Sequence, residues 1–115
     1  MSILVVSHDA GGAEILSCWI KHLKIKEKII YCLKGPAIGI FKKNIGSFEN
    51  LNEKDIEKIK IKKIITGTSW DSDIEKKIIL YGKKNKIFTC SFLDHWNNYL
   101  ERFTLKKKKI FPDKI

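Results

Sequence analysis

The sequence predicts an α/β fold in which a mainly parallel sheet lies between two layers of helices, and three observations lead there. Short β-branched runs alternate with longer segments whose apolar residues recur at three- and four-residue steps. The short runs are apolar almost throughout, as strands covered on both faces are. Turn-forming residues, among them Gly35-Pro36, Gly46 and Gly82, separate the two kinds of segment.

Residues 3–6 (ILVV) read as the first strand, and Ile15, Leu16, Trp19, Ile20 and Leu23 follow at helical spacing. Residues 28–33 (KIIYCL) form the second strand. After Gly35-Pro36 a short helix is expected over 37–44, stopped near Gly46. Residues 48–51 make a weak third strand, and 52–59 (NEKDIEKI) a capped helix with Ile56 and Ile59 on one face.

The fourth strand is 63–66 (KIIT). Ser72 and Glu75 then stand in an S-x-x-E capping box that opens a helix reaching about Tyr81, with Gly82 as its stop. Residues 87–93 (IFTCSFL) are the fifth strand. Trp96, Tyr99, Leu100 and Phe103 repeat at helical spacing as a core-facing stripe, Lys106 to Lys109 reads as a solvated turn, and the closing IFPDKI looks like the start of a sixth strand. Right-handed crossovers then give a three-layer sandwich of Rossmann type with strand order 3-2-1-4-5. There is no internal repeat and no linker, so residues 1–115 are one domain.

A formal charge of +10 invites a nucleic-acid reading, but its make-up weakens it. Arg102 is the single arginine among 23 basic residues, and arginine is the side chain best suited to bidentate phosphate and base contacts. An excess of lysine and isoleucine is also what A/T-rich coding produces. Nucleic acid is therefore not the expected partner. Cys18, Cys32 and Cys90 have no C-x-x-C spacing and sit among apolar neighbours, which argues against zinc and disulfides. No stretch approaches the roughly 20 apolar residues of a membrane span, nor is there a leader-like segment, so a cytoplasmic location is expected.

In such sheets ligands bind outside the carboxyl ends of the strands, near the point where the strand order reverses. The polar residues collect there: Ser7-His8-Asp9 after the first strand, Thr66 to Ser69 after the fourth, and Asp94-His95-Trp96 after the fifth. Gly11 and Gly12 lie where the first strand turns into its helix, and this lets a phosphate or carboxylate approach the first-turn N–H groups, or lets the helix pack closely on the sheet. No G-x-G-x-x-G and no G-x-x-x-x-G-K-[ST] occurs, which disfavours a dinucleotide oxidoreductase and a P-loop nucleotidase; no cofactor is expected.

His8 and Asp9 face Asp94 and His95 across one strand, roughly 10 Å apart by strand spacing. Among chemical roles, acid–base or hydrogen bonding suits these four better than a metal held by two histidines and a carboxylate; a purely structural role, with the aspartate capping a helix, is the plain alternative. Trp96 is placed to stack on a sugar or base ring if it does not belong to the core. Arg102 is open to a phosphate, with a solvent-facing ion pair the plainer expectation.

Taken together, SHDAGGAE, TGTSWDSDIE, FLDHWNNYLERF and FPDKI resemble, in layout and loop chemistry, the N-terminal half of GT-B-type glycosyltransferases and the related nucleotide-sugar 2-epimerases. The resemblance spans essentially the whole chain. It implies a place in surface-polysaccharide biosynthesis and puts Gly11 and Gly12 in the loop lining an interdomain cleft, with His8, Asp9, Thr68, Ser69, Asp94 and His95 on the cleft wall. It also implies a C-terminal nucleotide-sugar domain that these 115 residues do not include, so the expectation is an acceptor-side domain completed by further chain or a partner. The alternative is a free-standing module that binds a phosphorylated small molecule or sugar without chemistry of its own.

Overall fold

The computed structural model describes residues 2–23, 27–69, 72–93, 101–105 and 108–115. In chain order these form β1 (Ser2–Ser7), α1 (Ala10–His22), β2 (Lys28–Leu33), α2 (Pro36–Ile45), a 3-10 turn (Glu53–Lys58), β3 (Ile61–Thr66), α3 (Ile74–Lys84) and β4 (Phe88–Ser91). A short 3-10 turn (Glu101–Phe103) and the strands β5 (Thr104–Leu105) and β6 (Lys108–Lys109) follow. The chain is thus α/β, with a four-strand parallel sheet ordered β2-β1-β3-β4.

β1 is buried along its whole length because it is flanked by strands and covered on both faces. Its side chains alternate between two cores, as a period of two requires. Ile3 and Val5 join Leu16 and Ile20 of α1, Ala37 and Phe41 of α2, and Ile65. Leu4 and Val6 point the other way, onto Ile56, Ile64, Ile74 and Ile78. A third, smaller core joins Ile79 of α3 to Phe103, Leu105 and Ile110.

The connections leave β1 in opposite directions, first to β2 and later to β3. The carboxyl ends of β1 and β3 therefore bracket the reversal, and register keeps them level: Ser7 pairs with Leu33, Val6 with Thr66, and Thr66 with Ser91.

Several expected elements are altered, each for a local reason. The strand expected at 48–51 is reduced to one parallel bridge between Tyr31 and Asn50. There the Asn50 side-chain amide takes over the ladder, accepting from Leu33 N at 2.7 Å and donating to Leu33 O at 3.0 Å. The helix expected at 52–59 is a 3-10 turn with Ile56 as its buried residue, too little apolar surface to hold a longer helix. Of the expected sixth strand there is a single parallel bridge, Cys90 to Lys114, with Ser91 N donating to Lys114 O at 2.8 Å and Lys114 N to Thr89 O at 3.1 Å.

The capping box does not form. α3 starts at Ile74 with Asp73 at the N-cap, no side-chain cap bond is made, and Glu75 turns inward. Gly82 does not end the helix either: α3 runs on to Lys84, and Gly82 lets it lie against the sheet, since a Cβ there would stand 2.5 Å from Thr89 Cγ2 and 3.0 Å from Ile64 Cδ1. Of the solvated turn expected at 106–109, residues 106 and 107 lie outside the described residues, and Lys108–Lys109 pairs antiparallel with Thr104–Leu105. Of the expected last helix, Trp96, Tyr99 and Leu100 lie outside the described residues, and Phe103 is fully buried at the end of a 3-10 turn. Among the described residues no helix is long and apolar enough to cross a membrane.

Candidate functional site

Where β1 ends, His8 and Asp9 leave the sheet together. Lys34 N donates to Ser7 O and Ala37 N to His8 O, both at 3.1 Å, so the start of α2 holds this corner in place. Nδ1 of His8 lies 2.6 Å from Oδ1 of Asp9, and each side chain is 26% exposed. With Nδ1–H donating to the carboxylate, Nε2 is the ring nitrogen left for another partner, and it stands near the backbone of Gly35. Asp9 is the N-cap residue of α1, yet its side chain makes no cap bond. The structure thus departs from the plain expectation of a helix-capping aspartate, because the imidazole has taken the carboxylate.

With no capping side chain, the first turn of α1 keeps the partial positive charge of its N–H groups. Gly11 is exposed on that turn. Gly12 is buried, and a Cβ on it would reach Gly67 Cα at 3.5 Å and Thr68 N at 3.6 Å, so here helix and β3 loop touch through their backbones. Of the glycine pair, only Gly11 faces outward.

Beneath this corner runs a buried polar layer. Ser69 Oγ donates to the Oε1 atom of Glu75, whose residue is 2% exposed in the first turn of α3. Thr68 Oγ1 accepts from Nη1 of Arg102 at 3.1 Å, and the same nitrogen lies 3.4 Å from Thr68 O. Arg102 is buried, which corrects the expectation of a solvent-facing ion pair. Ser7 Oγ is also fully buried and, with Glu75 Oε2, flanks Gly67: a Cβ on that glycine would sit 3.3 Å from the hydroxyl and 2.7 Å from the carboxylate. Thr68 and Ser69 therefore turn their hydroxyls inward, where they tie the β3 loop to α3 and to the segment carrying Arg102.

The structure brings His8, Asp9, Gly11 and Gly12 together, with Thr68 and Ser69 directly below. Asp94, His95 and Trp96 lie outside the described residues. Among the described residues no group of three or more His, Cys, Asp or Glu side chains is placed to hold a metal ion. Sequence reasoning missed Glu75, whose S-x-x-E spacing pointed to a cap, and the inward course of Arg102, for which being the lone arginine was the available signal. The chain matches no protein-family model, no curated protein and no solved structure.

Proposed function

We propose that the chain is the N-terminal, acceptor-side domain of a glycosyltransferase-like protein of surface-polysaccharide biosynthesis, working in the cytoplasm. On this reading the fold is a three-layer Rossmann-like sandwich, the bridges at Asn50 and Lys114 mark reduced outer strands, and the order becomes 3-2-1-4-5 with a sixth begun. The observation that carries the proposal is the His8–Asp9 pair at the switch point. An acceptor hydroxyl gives its proton to Nε2 of His8 as its oxygen attacks the anomeric carbon of a nucleotide sugar. The nucleotide diphosphate leaves with the electrons of the broken C–O bond. Asp9 orients the ring and stabilises the imidazolium, and the start of α1 holds an anionic group of donor or acceptor.

The test is transfer from a panel of nucleotide sugars in a form completed by a nucleotide-sugar domain. His8→Ala and Asp9→Ala should each slow transfer about a hundredfold or more while leaving the fold intact by circular dichroism. Undiminished transfer in both variants would overturn the base assignment. The uncapped start of α1 favours, as second reading, a module that binds a phosphorylated sugar without chemistry. On that reading a sugar phosphate shifts the amide signals of Gly11 and Gly12 equally in wild type and His8→Ala, and no transfer occurs.

A further inference from the structure

α1 and α2 lie over β1 and β2, and among the described residues no helix covers the same face over β3 and β4. On it lie Lys63 and Ile65 of β3 beside Phe88 and Cys90 of β4, in register, with Phe92 continuing the row. Trp19 of α1 makes one wall, its ring 4.9 Å from that of Phe92 at 50°, and Lys114 and Ile115 make the other. The groove so formed measures about 640 Å³, within the range of small-molecule sites. Phe88 is 44% exposed in it.

Among the described residues that line the groove, the charged side chains are Lys63 and Lys114, both cationic. Lys63 Nζ stands 5.6 Å from the centre of the Phe88 ring, and Lys114 lies alongside Cys90 through their bridge. Burial pushes the Cys90 thiol up, while the Lys114 and Lys63 ammoniums pull it down, so both charges act on the middle of the groove. We infer that this groove binds a single-chain anionic amphiphile, with its apolar chain over Ile65, Phe88 and Phe92 and its carboxylate or phosphate head between Lys63 and Lys114.

Three observations select that occupant. A second copy would bring the same lysines against each other on a chain already carrying +10. An extended peptide would need main-chain partners, yet Ser91 N and Thr89 O are already paired with Lys114, and an apolar floor leaves a peptide backbone unsatisfied. An alkyl chain has no such groups, and its anionic head meets two cations. This site lies apart from His8 and Asp9 and does not depend on the transferase reading.

The cysteines supply the test. Cys18 is exposed on α1, Cys32 is buried, and Cys90 lies in the groove, so alkylation by iodoacetamide, followed peptide by peptide, reports on the groove with an internal control. Dodecanoate, added below its micelle-forming concentration, should slow Cys90 alkylation saturably and leave Cys18 unchanged. Lys114→Gln and Lys63→Gln should each weaken that protection about tenfold, with circular dichroism and urea midpoints of each variant checking that the fold is kept. Dodecyl maltoside and dodecyltrimethylammonium should protect far less. Equal protection of Cys18 and Cys90, no protection at all, or protection by the cationic detergent would overturn the inference. So would protection that appears only with anionic phospholipid vesicles, which would make the face a membrane contact instead.

Discussion

The imidazole of His8 lies across the α-carbon of Gly35, so closely that a Cβ there would stand 2.8 Å from Nε2. The glycine's own backbone, at φ 54° and ψ −140°, is one that side-chain-bearing residues rarely adopt. Two independent features thus require glycine at the start of α2. Gly35→Ala should cost about 1–3 kcal/mol and push the ring off its bond to Asp9. Urea unfolding reads the first effect and the nitrogen resonances of the His8 ring the second; wild-type behaviour in both would mean the corner is far softer than its geometry implies.

Glu75 is a buried carboxylate that receives the Ser69 hydroxyl. Glu75→Ala should therefore destabilise the protein by about 1–3 kcal/mol, with Glu75→Gln, which keeps an acceptor, losing less. Hydrogen exchange at Thr68 and Ser69 should quicken in the alanine variant. Unchanged exchange would show that the β3 loop is held by something other than this bond.

Asp113 predicts a dependence on acid. Its carboxylate accepts from Lys83 Nζ at 2.6 Å and from Thr89 N at 2.9 Å, and these bonds hold its pKa below the usual carboxylate value. A depressed folded value contributes stability that is complete above the unfolded pKa and is lost as pH falls through the folded one. Asp113→Asn should be less stable than wild type near neutrality, and the gap should close in acid. A gap independent of pH would assign the effect to packing.

Two helical glycines should respond to alanine with opposite signs. Nothing lies within 4 Å of a Cβ on Gly39, so Gly39→Ala should stabilise α2 by about 0.4–1 kcal/mol. At Gly82 the new methyl would run into Thr89 and Ile64, and Gly82→Ala should cost about 1–3 kcal/mol. Midpoints of urea unfolding compare the two directly, and the same sign at both would contradict the close packing of α3 on the sheet.

What was legible in the sequence is what local pattern controls. The unbroken run at Ile3 to Val6 and the spacing of Leu16 and Ile20 announce β1 and α1, because burial on both faces and a 3.6-residue period leave direct traces. Glu75 was misread because S-x-x-E describes a local bond, whereas its burial depends on Gly67 and Ser69, brought there by β3. Arg102 stood out as the one arginine, but its contact with Thr68 spans 34 positions and no periodicity encodes it. His8 and Asp9 were legible as candidates. Their mutual bond was not, since neighbours on a regular strand point to opposite faces and only the departure from β1 turns them together.

Asn50 and Asp113 sit at opposite flanks of the sheet and do the same thing. One occupies both main-chain groups of Leu33 on β2, and the other takes the amide of Thr89 on β4. Each is a side chain impersonating a neighbouring strand, and an impostor one residue long cannot be extended into a ladder. At these two positions the sheet offers no template for fibre growth, despite β-rich, lysine–isoleucine sequence on either side.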